Sequence, residues 1–485
     1  MTAPSTDSIP LPDRFIDQRP GPAGRSTRLV AVLAFAGIVV SLMQSLLIPL
    51  LPELPRLLSA PPTDTTWAVT ATLLAGAVAT PTVGRLGDMF GKRRMLLISV
   101  ALLIAGSVIG AVSTALVPLI IGRVLQGLAA GVIPLGISIM RDELPVDKLG
   151  GATATMSASL GVGGALGLPA AALIADYADW HVLFWVSAAL GIVAFVMVAT
   201  LVPESPLRSG GRFDVVGAVG VSGALASLLL AVSKGSTWGW SSPLTVGLLV
   251  AAAALLALWV AWELKNPAPL VDLRVTARRQ VLLTNLASLI FGFAMFAMSL
   301  VLPQLLQAPT TTGYGLGQPM LVVGLVMAPS GLVMMAVAPL SARISRAAGA
   351  KVSLMIGAAI VAAGYGLNIM FMSELWHIVL VSMIIGAGIG LAYGAMPALI
   401  MAAVPMSETA AANSLNTLMR SIGTSISSAV AGVILAQMVL TVGPTVVPTQ
   451  DAFRIVLAAS AASAVVALTI AAFLPRARST APARA

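Results

Sequence analysis

Apolar runs of 19 to 28 residues recur fourteen times along the chain, each closed by a short polar connection. They fall at about 29–51, 66–86, 95–113, 116–140, 151–174, 180–201 and 215–233. The rest lie at about 244–264, 281–306, 318–340, 352–371, 376–402, 411–438 and 453–474. A helix rising ~1.5 Å per residue crosses the ~30 Å hydrocarbon layer in about 20 residues. Lipid offers backbone N–H and C=O groups no partner, so runs this apolar are expected to be helices. The first run is too long for a signal-peptide core and has no small-residue cleavage site after it. The pattern therefore predicts an all-α integral membrane protein with fourteen spans.

Composition agrees. Of 485 residues, 58% are apolar and only 9% charged, against about 25% charged in soluble domains. There is no cysteine, which excludes disulfides and thiolate chemistry, and His181 and His377 are too few for a histidine metal cluster. A net charge of +9 could serve nucleic acid or membrane headgroups. Placement decides: the side holding both termini carries 22 of the 27 Lys and Arg. The opposite side has Arg56, Lys234 and Arg454, and Arg123 and Arg420 fall inside spans. That asymmetry predicts cytoplasmic termini in the plasma membrane, with 87–94 and 341–351 as cytoplasmic loops, and leaves no charge to assign to nucleic acid.

An internal repeat organises the spans. PVDKLGGATATMSASLGVGGALG at 145–167 matches PMSETAAANSLNTLMRSIGTSIS at 405–427, aligning Pro145 with Pro405 and Gly163 with Gly423. Upstream, GRLGDMFGKRRMLLI from Gly84 matches ARISRAAGAKVSLMI from Ala342, aligning Gly91 with Gly349 and Arg93 with Lys351. The offsets of 260 and 258 exceed a six-helix half by about 80 residues, a gap that the two extra spans at 215–264 fill with their flanking loops. The expected organisation is an N-tail (1–28), a six-helix bundle (29–201), a two-helix insert with its flanking loops (202–280), a second six-helix bundle (281–474) and a C-tail (475–485). A duplicated membrane bundle points to a secondary transporter with its site at the repeat interface.

Three segments carry candidate chemistry. The stretch Gly84 to Arg94 places one carboxylate, Asp88, among Lys92, Arg93 and Arg94, with Gly84 and Gly91 allowing tight approach. An acid so placed can pair with a cation or cap a helix start, which suits a latch that forms in one conformation only. IIGRVLQGLAAG holds Arg123 and Gln126 within the fourth span, where an arginine needs a cavity or a partner. The fifth span carries Gly163, Gly167 and Pro169, for close packing and a kink.

Together these segments resemble the major facilitator superfamily, specifically its fourteen-span drug:proton antiporters of multidrug-efflux type. The resemblance implies two six-helix bundles plus two inserted central helices, proton antiport, and alternating access. It also implies that the Gly84 segment is the cytoplasmic signature, that Arg123 takes part in proton coupling, and that the fifth span is the antiporter helix. The chain departs from the family at Leu168 and at Ala171-Ala172, and has Ser41, Gln44 and Ser45 where the first span usually has an acid.

With that acid absent, Glu53 and Asp176, at the outer ends of the first and fifth spans, are the candidates to pair with Arg123 and carry the proton. Gln44, Gln126, Asn413, Asn416 and Arg420 are candidates for the substrate path; the last three share one side of the thirteenth span. The spans hold no carboxylate near mid-depth, and 15 of the 22 methionines follow residue 280. The first fact favours neutral or anionic lipophiles over cations, and the second suits a promiscuous apolar site. The expected function is export of lipophilic small molecules such as drugs or antibiotics, by a protein expected to be monomeric. Export of one endogenous metabolite is the alternative; a channel or a non-transport scaffold follows. No catalytic constellation, Walker-type loop, cofactor motif or metal-ligand cluster stands in the sequence, so neither enzyme chemistry nor a cofactor is expected.

Overall fold

The computed structural model describes residues 23–47, 50, 53–205, 207–442 and 445–475; the side chains at 23–24, 62–63, 175–176, 236 and 445 are not described. The tails before residue 23 and after 475 lie outside the described residues, and with them most of the two expected tail segments.

Among the described residues, fourteen helical segments are long and apolar enough to cross a membrane. In the first half they are α1 (Ala23–Ser45), α2 (Trp67–Phe90), α3 (Lys92–Val112), α4 (Leu116–Glu143), α5 (Val146–Tyr177) and α6 (His181–Leu201). The insert is α7 (Val215–Trp238) and α8 (Pro243–Lys265). The second half is α9 (Arg279–Gln307), α10 (Met320–Ala348), α11 (Ala350–Met370), α12 (Leu375–Met401), α13 (Thr409–Gln437) and α14 (Gln450–Ala472). A 3₁₀ turn, Leu128–Gly131, interrupts α4, and α10 breaks at Val337, two residues before Pro339. A hairpin the sequence pattern did not suggest, β1 (Val439–Val442) and β2 (Thr445–Pro448), joins α13 to α14.

Two expectations about boundaries need correction. The first helix stops at Ser45 rather than near residue 51, because Pro49 has no N–H to continue it and disfavours helix at the residue before it. The stretches 87–94 and 341–351 are not loops but helix: α2 runs to Phe90 and α3 starts at Lys92, while α10 runs to Ala348 and α11 starts at Ala350. A single residue breaks each, Gly91 (φ 114°) and Gly349 (φ 92°), in a region of backbone space that other residues enter only with strain.

The halves pack alike. The first helix of each lies on the fifth (α1 on α5, α9 on α13), and the third on the sixth (α3 on α6, α11 on α14). At the first contact the repeat glycines allow backbones to meet. A Cβ on Gly163 would lie 2.6 Å from Ile38 O, and one on Gly423 would strike Leu289 O and sit 3.0 Å from Phe293 N. The aligned cations behave alike too: Arg93 donates to Ala199 O at the end of α6, and Lys351 donates to Ala472 O and Leu474 O (both 2.7 Å) at the end of α14. Each thereby supplies donors to carbonyls that a helix end leaves open.

Between halves the contacts are reciprocal: α5 packs on α10, and α13 on α2. The insert adds α7 across the α2–α13 seam, where Val221, Leu225 and Leu229 join Ala77, Leu415 and Leu418 in one apolar cluster.

Candidate functional site

The most highly bonded part of the seam lies at the end of the bundle that carries the basic residues. Asp88, in the last turn of α2, is fully buried. Its carboxylate accepts the N–H groups of Ala410 (3.2 Å) and Ala411 (2.9 Å), in the first turn of α13 on the opposite half. Those amides have no partner within their helix, and the helix dipole adds a positive field there. Lys92 is also fully buried; its Nζ lies 3.8 Å from Asp88 Oδ1 and 2.5 Å from Asp142 Oδ2. Ser205 donates to the same Asp142 oxygen. Gly84 faces Ser414 and Ala410 so closely that a Cβ would lie 2.8 Å from Ala410 O.

Of the cations expected around Asp88, only Lys92 reaches it. Arg93 turns away to the end of α6, and its N–H bonds Glu204 Oε1 (3.2 Å). The sequence pattern missed two participants. Asp142 is the nearer partner of Lys92. Arg141 crosses the seam, donating to Met401 O (2.6 Å), Val404 O (3.0 Å), Pro405 O (3.3 Å) and Thr409 Oγ1 (2.5 Å). The available signal was the adjacency of Arg141 and Asp142 near the end of a span.

In the first half, Arg123 is buried and bonded to carbonyls rather than to an acid. Nε donates to Ala68 O (3.1 Å), and Nη1 to Met43 O (3.0 Å) and Gln126 Oε1 (2.7 Å). Gln126 Nε2 donates to Ser107 Oγ (2.8 Å), so this glutamine positions Arg123 within the half and is itself buried. Glu53 pairs instead with Arg56 (2.9 Å) on the exposed surface. The structure therefore does not bring Glu53 to Arg123 in this conformation. Asp176 lies in the last turns of α5, with its side chain outside the described residues. Nearby, Asp179 accepts the His181 N–H, which holds its carboxyl below the usual range. Gln44 is exposed on α1. Gly167 abuts Ser45, and Pro169 sits where α10 approaches at Gly324.

In the second half, Arg420 is buried without an ion pair among the described residues. Its guanidinium lies 4.5 Å from the Tyr393 ring centroid, and Nη2 donates to Thr417 Oγ1 (3.3 Å). Tyr393 packs against Phe291, and its hydroxyl donates to Met295 Sδ (2.8 Å). Below it, Asn416 Nδ2 donates to Asn285 Oδ1 (2.9 Å) and Ser288 Oγ (2.7 Å), while Asn413 bonds Thr409 O within its own helix. Arg420 thus lies against an aromatic and thioether group, Asn416 one turn away in a polar cluster with Asn285 and Ser288, and Asn413 joins neither.

A family model described as Major Facilitator Superfamily matches residues 33–428. The chain belongs to the major facilitator superfamily. Among its relatives, the uncharacterized MFS-type transporter Rv1877 of Mycobacterium tuberculosis is 28% identical over 419 residues, 84% of this chain. The chain spans 59% of that relative's length. Multidrug resistance protein Stp of the same species is 27% identical over 84% of this chain and 76% of its own. The Tetracenomycin C resistance and export protein of Streptomyces glaucescens is 29% identical over 52% of this chain and 47% of its own. The human organic anion transporter MFSD10 (TETRAN) shares the fold, with a TM-score of 0.63 at 14% identity, covering 92% of this chain and 99% of that one. The protein is thus a multi-pass membrane protein of this superfamily, and its fourteen helices fit the expected two bundles and insert.

Proposed function

We propose that the protein exports lipophilic small molecules across the cytoplasmic membrane by proton antiport, with both termini in the cytoplasm. The observation that carries this reading is the closure of the seam at the basic end. Asp88 and Arg141 reach from one half to the start of α13 on the other, through bonds that exist only while the halves touch. That is the chemistry of a state-dependent latch, and alternating access needs one. Export is supported by the printed names of two relatives, multidrug resistance and tetracenomycin C export. The second of those names concerns one compound, which also favours the reading of a dedicated exporter.

Substrate contact is assigned to Arg420 and Asn416, and the substrate class to neutral or anionic lipophiles. A cation site would be expected to include a buried acid, and none faces Arg420 among the described residues. Efflux from proteoliposomes under an imposed pH gradient tests the mechanism. Transport that ignores the gradient removes antiport, and loss of it in Glu53→Gln alone restores that acid as the proton carrier. Susceptibility profiling of deletion and overexpressing strains separates a broad exporter from a dedicated one. For orientation, a cysteine at exposed Ala347 is expected to resist impermeant reagents in intact cells. Labelling there reverses the assignment.

A further inference from the structure

A groove of about 720 Å³ opens at the basic end between the halves, on the opposite side of the bundle from the insert. Its floor is apolar: Val30, Ala34 and Phe35 of α1 face Met335 and Pro339 of α10. α10 breaks at Val337, ahead of Pro339, where it lines the groove. Three exposed cations, Lys148, Arg343 and Arg346, stand at its mouth, with Asp147 the sole carboxylate among the lining residues. Arg346 is held there by its bond to Asp147 O (2.9 Å) across the seam.

We propose that this groove binds an anionic phospholipid, with an acyl chain on the apolar floor and the phosphate among Lys148, Arg343 and Arg346. Three arguments commit it to that occupant. The cations lie at the end of the spans, where headgroups sit, while the floor runs from residue 30 to residue 38 along α1, into the hydrocarbon. The charge balance at the mouth selects an anion, and basic pockets between spanning helices are suited to lipid phosphates. The volume far exceeds what a bare phosphate fills, and an apolar floor gives such an ion nothing. Because the walls come from both halves, a bound lipid would bridge them in this conformation and add to the hold of the latch on the opposite side.

The test uses full-length purified protein in detergent, with bound lipid read by native mass spectrometry. Wild type is expected to retain phosphatidylglycerol in preference to phosphatidylcholine. Arg343→Ala with Arg346→Ala should weaken phosphatidylglycerol binding about 30-fold, at ~1 kcal/mol per cation near a membrane surface. Arg212→Ala with Lys265→Ala removes equal charge outside the groove and should change binding less than about twofold, since those cations flank the insert and do not line the groove. Ala31→Trp narrows the groove while keeping every cation, and should weaken both lipids; it also serves if the double arginine variant does not fold. Equal retention of the two lipids by wild type, or equal loss in the control pair, overturns the proposal. So does full competition by inorganic phosphate, which would mean an anion site without a lipid. Displacement of phosphatidylglycerol by a transported lipophilic acid would make the groove a substrate entrance instead.

Discussion

Replacing Asp88 by asparagine should open the basic end. The aspartate accepts two N–H groups from the first turn of α13 with one delocalised charge. Asparagine has one acceptor oxygen; its NH₂ must then face the second N–H, donor against donor. Hydrogen bonds to a charged group contribute ~1.5–3 kcal/mol each, and a carboxylate at a buried helix start up to ~2 kcal/mol. These overlap, so about 3 kcal/mol is a fair total for the contact across the seam. Lys92 is not stranded, because Asp142 lies at 2.5 Å and keeps its charge paired. The loss therefore falls on the state in which the halves touch, and shifts the balance between closed and open by about 150-fold. The chain has no cysteine, so spin labels can be placed without further change at Val146 and Met406, two exposed positions on opposite halves of the basic end. Pulsed dipolar spectroscopy should show a short separation in wild type and a longer one in Asp88→Asn. A variant that is folded, inserted and superimposable on wild type in this distribution refutes the latch.

Arg141→Lys should weaken the same closure, because an ammonium cannot reach the four acceptors that the planar fork spans; combined with Asp88→Asn it should add less than its single effect, both acting on the start of α13. Arg420→Lys loses the stacking on Tyr393 and should reduce affinity for an anionic lipophile by roughly tenfold, while leaving a neutral one unchanged; equal binding of both in Lys and Ala variants removes Arg420 from the substrate path. Gly91→Ala and Gly349→Ala should each cost ~1–3 kcal/mol for the backbone angle alone. Gly91→Ala should melt lower, since its Cβ would lie 2.8 Å from Glu204 Oε1 whereas nothing stands within 4 Å at Gly349. Equal melting temperatures would reject the steric part of that argument.

The helices were legible because a spanning helix must be apolar over its length, whatever it packs against. The repeat was legible because Gly91 and Gly349 meet the same backbone demand, and Gly163 and Gly423 the same close contact with a first helix. Where the reading failed, local apolarity was a poor guide to helix. Residues 87–94 and 341–351 are charged, yet helical, since a helix continues past the hydrocarbon wherever the next residue can still bond four back. The first span failed the opposite way: its apolar run continues past Ser45, where the helix ends.

The site was legible only as far as its chemistry is local. Asp88 stood out as one acid among cations, but its amide partners lie more than 320 residues away and are backbone groups, which no side-chain pattern marks. The same holds for Arg141, three of whose four acceptors are carbonyls. Arg123 shows the converse error. An arginine within a span suggests a carboxylate partner. Here α1 and α2 present backbone oxygens, and Gln126 adds a third, so the cation is satisfied by dipoles. If a proton passes this arginine, it need not displace a salt bridge to do so. Asp88, Arg141 and Arg346 all hold bonds that change when the halves separate, which makes the basic end, with Asp88 as its seam-crossing carboxylate, rather than Arg123, the first place to look for an acid whose proton affinity follows the transport cycle.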